Sequence, residues 1–355
     1  MKPNIHLRTV AAAALAAAGT SVAQAETFSI TVISGHPPVN AGVAGVRDFF
    51  IPEVDRRLAE AGDYTIDWTE AYGGSVADVR GVLEAVELGI GDMGYVPHLF
   101  EGDKLPLEQI TYMTPFSTGD LPALMQVITR LHEEIPEMGA AWRENNQMVL
   151  APVGIDDYQI ISDFPIESLD DIAGRRLGTA GLALNWLRGT DAIPVSGALT
   201  DYYNSMSTDL IDGAITFESA VAAYNFHEVA PYVTKVGFGA KYASALTVNL
   251  DVWEGLPEEV RAVMREVADE YRTRTAETYL TSGQRSLDTA QEEGATVSEL
   301  APEERARLAE ALPNIAREWA DELDARGLPG THTLETYLAL SEEAGLTFAR
   351  DWLAE

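Results

Sequence analysis

The chain has 355 residues and no cysteine, so it rests on a hydrophobic core without disulfides, and its length admits two domains. It carries 56 Asp and Glu against 24 Lys and Arg, a net charge of −32. A surface that acidic excludes nucleic acid and anionic lipid as partners.

The first stretch reads as an export signal. Lys2, His6 and Arg8 precede an Ala/Val-rich run from Val10 to Ala18, and Ala23-Gln24-Ala25 closes it. Residues 1–25 are expected to be removed, leaving a mature chain from Glu26. The apolar run is shorter than the ~20 residues that span a bilayer. The mature protein is therefore expected in the periplasm, two units of charge more negative than the full chain once Lys2 and Arg8 are gone.

Phe28 to Ser34 alternates and is rich in β-branched residues, which predicts a strand. Gly35 to Asn40 is a stiff loop, since the residue before a proline is disfavoured in a helix. Val43 to Ala61 predicts a helix and Tyr64 to Trp68 a second strand. Ser75 can cap a helix buried through Val76, Val79, Leu83 and Val86. Asp92 to Val96 then completes a β-α-β-α-β order, which implies a mostly parallel sheet.

Leu121 to Glu134 and Pro136 to Asn146 predict helices, and Gln147 to Val153 a strand. From Gly154 to Glu218 a short acidic helix, a turn at Gly174, a strand, two helices and a strand from Gly213 to Phe217 are expected. Ligands of open α/β sheets sit at such strand ends. Ala220 to Val229 reads as a helix, and Tyr232 to Gly237 and Ala245 to Asn249 as strands. Pro257 to about Glu293 reads as one helix, roughly 50 Å long at 1.5 Å per residue and able to brace two domains. Acidic helices from Pro302 to Asp324 and Leu334 to Leu353 close the chain.

The order of motifs resembles the periplasmic solute-binding subunits of tripartite ATP-independent periplasmic (TRAP) transporters. The resemblance rests on Gly35-His36, Gly73-Gly74 and Leu88 to Met93. It continues through Pro165-Ile166, Leu169 to Leu177, Tyr202-Tyr203, Asp212-Gly213, Val248-Asn249, Trp253 and Leu256-Pro257. It implies an α/β fold of two periplasmic-binding-protein domains, with a long helix spanning both. One domain would hold residues 26–152 plus about 240–275, the other 153–239 plus about 276–355. It further implies hinge closure on a small organic acid and delivery by a monomer to a small and a large membrane subunit, with no cofactor, metal or catalysis.

The family's carboxylate-clamping arginine is expected where this chain has Gly178, and a second arginine where it has Asp156. Recognition must therefore fall to other groups. His36 with Asn40 and His98 occupy strand-end loops. Tyr158 and Phe217 end two strands and can stack on a flat ligand or cage a cation. Thr216 precedes Phe217. Trp68 and Tyr72 could contribute from the first domain. Asn185 and Trp186 lie in the first turns of the helix after Gly178, Trp186 as core or as cleft wall. Arg176 faces the cleft or pairs with Asp170 or Asp171.

Two ligand classes follow: a monocarboxylate, aromatic in the manner of benzoate, or an amine or zwitterion held by Asp156 and aromatic rings. A C4-dicarboxylate ranks below both. A periplasmic ligand sensor of the same fold stays open beside the transport subunit. An enzyme is disfavoured, because the chain has no G-x-S-x-G, no H-E-x-x-H, no phosphate-binding glycine loop and no cysteine nucleophile.

Overall fold

The computed structural model describes residues 25–354. The expected export signal lies outside these residues, except for its last position, and the first strand, β1, is Glu26–Ser34. The elements that follow are α1 (Ala41–Gly45), a π-helical turn (Val46–Phe50), α2 (Ile51–Ala61), β2 (Tyr64–Ala71), α3 (Val82–Glu87) and β3 (Met93–Val96). After them come α4 (Ile110–Met113), α5 (Leu121–Glu134), α6 (Pro136–Glu144), β4 (Gln147–Ile155), β5 (Tyr158–Ser162), β6 (Arg176–Thr179) and β7 (Ile193–Ser196). The chain continues through α7 (Leu199–Ser207), β8 (Gly213–Phe217), α8 (Ala220–Ala223), β9 (Tyr232–Lys235), β10 (Lys241–Asn249) and α9 (Leu250–Gly255). It closes with α10 (Glu258–Glu292), β11 (Thr296–Glu299), α11 (Pro302–Ala311), α12 (Ile315–Ala325) and α13 (Gly330–Glu343).

These elements form a two-domain α/β fold built on two sheets. The first runs β2-β1-β3-β10-β4 and the second β11-β9-β5-β8-β6-β7. In the first, β1 is parallel to β2 and β3, while β10 is antiparallel to β3 and β4. In the second, β6 is parallel to β7 and β8, and β5 is antiparallel to β8 and β9. The two reversals have one cause: the chain crosses between sheets from β4 to β5 and returns from β9 to β10. β10 is buried along its whole length, between two neighbours.

The 35-residue α10 is the third link, packed on α1, α2, α5 and β4 of one side and on α8 and β11 of the other. Its tyrosines tie it to the first sheet. Tyr271 Oη donates to the Gly42 carbonyl at 2.9 Å, and Tyr279 Oη donates to Asn40 Oδ1 at 3.0 Å. Nearer its C-terminal end Gly283 lies against Asp156, and a Cβ there would stand 2.4 Å from the carboxylate.

Several helices differ from expectation; the one expected from Ala220 to Val229 ends at Ala223, and the one expected from Leu334 to Leu353 ends at Glu343. The one expected from Ser75 begins at Val82, because Asp78 Oδ1 accepts the N–H groups of Arg80 and Gly81 and holds the preceding residues in a turn. The one after Gly178 is a seven-residue 3₁₀ segment, Gly181–Leu187. Its first residue has φ +53 and lies so close to the Leu99 carbonyl that a Cβ would stand 2.2 Å away. The acidic C-terminal helix breaks into α11 and α12 around Pro313.

Candidate ligand cleft

A narrow cleft lies between the two sheets. The first sheet and its loops supply His36, Asn40, Tyr95, Leu99, Phe100, Ile155, Ala243 and Ser244. The second supplies Tyr158, Ala180, Leu199, Tyr202, Ile215, Thr216 and Phe217. β1, β3, β6 and β8 all run toward the cavity, and their C-terminal ends or the loops after them form its walls.

Its electrostatics are unusual for a buried polar site. The lining contains no Asp, Glu, Lys or Arg. It does contain three buried polar atoms without a protein partner: His36 Nδ1, Tyr202 Oη and Thr216 Oγ1. Each buried polar atom left unpaired costs about 1–3 kcal/mol, so three around one cavity mark a place built to be filled. Burial lowers the His36 pKa to about 4, so its ring is neutral at neutral pH and offers one donor and one acceptor. Asn40 caps α1 through Oδ1, which accepts from Gly42 and Val43 as well as from Tyr279, and is held in place by those bonds. Tyr158 gives its hydroxyl to a 2.8 Å bond with Tyr112 and presents its ring beside Phe217, centroids 5.6 Å apart.

Of the residues expected at the site, the structure brings His36, Asn40, Tyr158, Thr216 and Phe217 together in this lining. Gly178 stands behind it. A Cβ on Gly178 would lie 2.8 Å from Ile211 Cδ1 and 3.0 Å from Tyr202 Cε1, so the glycine makes room for the Tyr202 ring. Beside the glycine at which the resemblance leads us to expect an arginine, this chain seats a tyrosine from α7.

The other seven do not line the cavity. Trp68 donates Nε1 to Asp55 at 2.8 Å and packs edge-on to Phe50, toward α2. Tyr72 is half-buried, with its hydroxyl unpartnered and its pKa pushed up by burial. His98 is enclosed behind the wall, 4.2 Å from the Tyr242 ring, and burial lowers its pKa to about 4. Arg176 forms a two-pronged pair with Asp212 instead of Asp170 or Asp171. Asn185 donates to the Leu182 carbonyl. Trp186 is fully buried between Tyr112 and Phe238, centroids 5.6 and 5.0 Å away, and donates Nε1 to the Tyr112 carbonyl at 2.6 Å.

Asp156 lies in the crossing from β4 to β5. Its two oxygens accept from the Ser219 backbone at 2.7 Å and the Ser219 hydroxyl at 2.8 Å. Burial raises its pKa to about 8, against the opposing pull of those two bonds. A carboxyl so engaged, and pressed on α10, is not available to a cavity ligand. Its neighbour Asp157 accepts from Gly239 at 2.6 Å and thereby ties the two crossings to each other.

Sequence reasoning missed Tyr95, Leu99, Phe100, Leu199, Ile215 and Ser244 in the lining, and undervalued Tyr202. The signal for Tyr202 lay in Gly178 and Gly197, two glycines that leave space for one ring. Arg80 touches the lining from outside: its guanidinium stands 4.4 Å over the Phe100 ring and donates to the Gly197 carbonyl at 3.1 Å.

Residues 62–322 match a family model described as bacterial extracellular solute-binding protein, family 7. A curated relative, the ectoine-binding periplasmic protein TeaA of Halomonas elongata, is 22% identical over 302 residues, 83% of this chain and 86% of its own. A Bordetella pertussis extracytoplasmic solute receptor binding pyroglutamic acid shares the fold with a TM-score of 0.75 at 19% identity, covering 88% of this chain and 99% of that one. A TRAP solute-binding protein of Rhodoferax ferrireducens in complex with copurified benzoate does so with a TM-score of 0.79 at 15% identity, covering 90% and 98%.

Proposed function

Because the chain belongs to family 7 of the bacterial extracellular solute-binding proteins, the solute receptors of TRAP transporters, we propose that it captures a small ring-bearing monocarboxylic acid outside the cytoplasm. The observation that carries this reading is the cavity itself: apolar walls, no charged side chain, and three unpartnered neutral polar atoms. The walls from Leu99, Phe100, Ile155, Leu199, Ile215 and Phe217 suit a flat or apolar ring. They leave few groups for the hydroxyls of a sugar acid, and no cation for a second carboxylate. One carboxylate can be held by neutral donors, since hydrogen bonds to an ionised acceptor are roughly twice as strong as neutral ones. The ligands named for the three relatives, ectoine, pyroglutamic acid and benzoate, share a single carboxylate on a small ring.

The ligand enters between the domains and shifts the population toward the closed state, in which both sheets contribute to the cavity. The crossings at Asp156-Asp157 and near Gly239, with α10, form the hinge. The loaded receptor then meets a small and a large membrane subunit and releases the ligand to them. Among the described residues no helix is long and apolar enough to cross a membrane. A zwitterionic ring is the second reading, favoured by the uncharged lining and the ectoine-binding relative, and it does not use Asp156.

The test is thermal-shift screening of the purified mature protein against benzoate, pyroglutamate, ectoine, succinate, glucuronate and a quaternary amine. Binding to the folded state alone raises the midpoint by mass action. Shifts confined to the first three are expected. A shift only with succinate or the quaternary amine would overturn the reading.

A further inference from the structure

We propose that Tyr202 is the residue that sets ligand specificity in this cavity, and that Arg80 of the opposite domain positions it when the cleft closes. The inference rests on the ring-acid reading above and names the group that reads the ligand's oxygen. Tyr202 is 2% exposed and lines the cavity, and its buried hydroxyl has no protein partner. Its ring is clasped by two glycines. A Cβ on Gly178 would stand 3.0 Å from Cε1, and one on Gly197 would stand 2.8 Å from the same atom. Phe226 packs beyond it, centroids 6.2 Å apart. The ring therefore has one seat, and a phenol fixed in one seat aims its hydroxyl with little rotamer entropy left to lose.

Gly197 is also the residue that Arg80 reaches across the cleft, donating Nη2 to its carbonyl at 3.1 Å. Arg80 is itself oriented by the Phe100 ring, whose face it covers at 4.4 Å, and by Asp78, which accepts its backbone N–H at 2.9 Å. Phe100 lines the cavity opposite Tyr202's side of the cleft. Arg80, Gly197 and Tyr202 thus form a line from the first domain to the ligand. Opening the cleft separates Arg80 from Gly197 and frees the backbone that packs on the Tyr202 ring.

A phenol, unlike a guanidinium, both donates and accepts. Thr216 Oγ1 and the neutral His36 ring have the same freedom. The site accordingly selects by hydrogen-bond geometry more than by net charge, and a ring carboxylate and its uncharged amide should both enter it. An arginine clamp would reject the amide.

The experiment measures binding of benzoate, benzamide, pyroglutamate and ectoine by calorimetry to the mature wild-type protein and to Y202F, R80Q and the double variant. Y202F should weaken benzoate, pyroglutamate and ectoine by about ten-fold, the worth of one hydrogen bond to a charged acceptor, and benzamide by about five-fold. Its unliganded melting temperature should stay within about 2 °C, since the ring and its packing are kept. R80Q should weaken binding less, and the double variant should be no weaker than Y202F alone, because Arg80 acts through Tyr202. Benzoate and benzamide should differ by less than about ten-fold in the wild type. Y202F binding as tightly as the wild type would overturn the role of Tyr202, and additive losses in the double variant would overturn that of Arg80. A benzoate preference over benzamide above a hundred-fold would overturn charge-indifferent selection. A wild type that binds none of the four probes would overturn the ring-acid reading itself, and this inference with it. If Y202F fails to fold, G178A serves in its place. Its new methyl displaces the Tyr202 ring, and unchanged affinity there would be equally fatal.

Discussion

Two aromatic clusters lie a few ångströms apart in this protein, and they treat polar atoms in opposite ways. In the block around Trp186, the indole N–H is bonded to the Tyr112 carbonyl, the Tyr112 and Tyr158 hydroxyls are bonded to each other, and the indole stacks between Tyr112 and Phe238 with Tyr158 edge-on. In the cavity wall, Tyr202, Thr216 and His36 each keep one polar atom unpartnered. Both clusters are buried. The first is complete, and its residues stabilise the fold. The second leaves three polar atoms unpartnered, at a cost in stability that the proposed ligand would offset. The division is not strict: Tyr158 lines the cavity with its hydroxyl bonded, and Tyr72 and His98 keep unpartnered atoms outside it, so an unpartnered atom marks a wall residue only where it also borders the cavity.

Trp186→Ala should produce the largest effect in that contrast. Deleting a fully buried indole costs about 3–5 kcal/mol, so the unliganded protein should melt many degrees lower. An equal loss of ligand affinity with unchanged melting would move Trp186 from core to wall.

The hinge carboxyl gives the next effect. Asp156 has a folded-state pKa of about 8 against an ordinary 3.8. Between those values the folded protein holds a proton that the unfolded chain has released. Its contribution to stability therefore falls as pH rises through that window. Asp156→Asn mimics the protonated acid and carries no such proton. Its melting temperature relative to wild type should climb from about pH 5 to about pH 8.5, and ligand affinity at pH 5 should be retained. Parallel melting curves across that range would contradict the assignment of a buried, protonated hinge acid. A ring amine that bound the wild type and lost affinity in the variant would return Asp156 to the site.

Asn185→Ala should have the smallest effect. Its side chain bonds only the Leu182 carbonyl three residues back, outside the lining. Stability within about 0.5 kcal/mol of wild type and affinity within about two-fold are expected from thermal melts and calorimetry.

Much of the fold was legible because strand signals are local. Gly213–Phe217 is the strand expected from its apolar run, and α10 spans the helix expected from Pro257. What escaped depends on distant partners. The first half of β10, Lys241-Tyr242-Ala243-Ser244, has no apolar run. It becomes a buried strand because β4 pairs with it along its length, and Lys241 donates to the Phe238 and Ala240 carbonyls. The helix expected after Gly178 gave way to a 3₁₀ segment because Leu99 of the other domain packs on Gly181.

The site divides in the same way. His36, Asn40, Tyr158, Thr216 and Phe217 reach the cavity because a strand end fixes position, and position can be read from sequence. Trp68, His98, Asn185 and Trp186 point elsewhere because side-chain direction is decided by packing against residues far away in the chain. Asp156 looked like a binding carboxylate because nothing local reveals Ser219 and Gly283 folding onto it. Tyr202 was concealed for the converse reason: its importance is written in the two glycines that flank its ring.

The most direct test of the account is a crystal structure of the mature protein with whichever panel compound raises its melting temperature most. The account predicts that compound in the cavity between the sheets, its ring against Phe217 and Phe100, an oxygen within hydrogen-bonding distance of Tyr202 Oη, and Asp156 still bonded to Ser219. A ligand bound outside this cavity, or one seated on Asp156 with the Tyr202 hydroxyl still unpartnered, would contradict it.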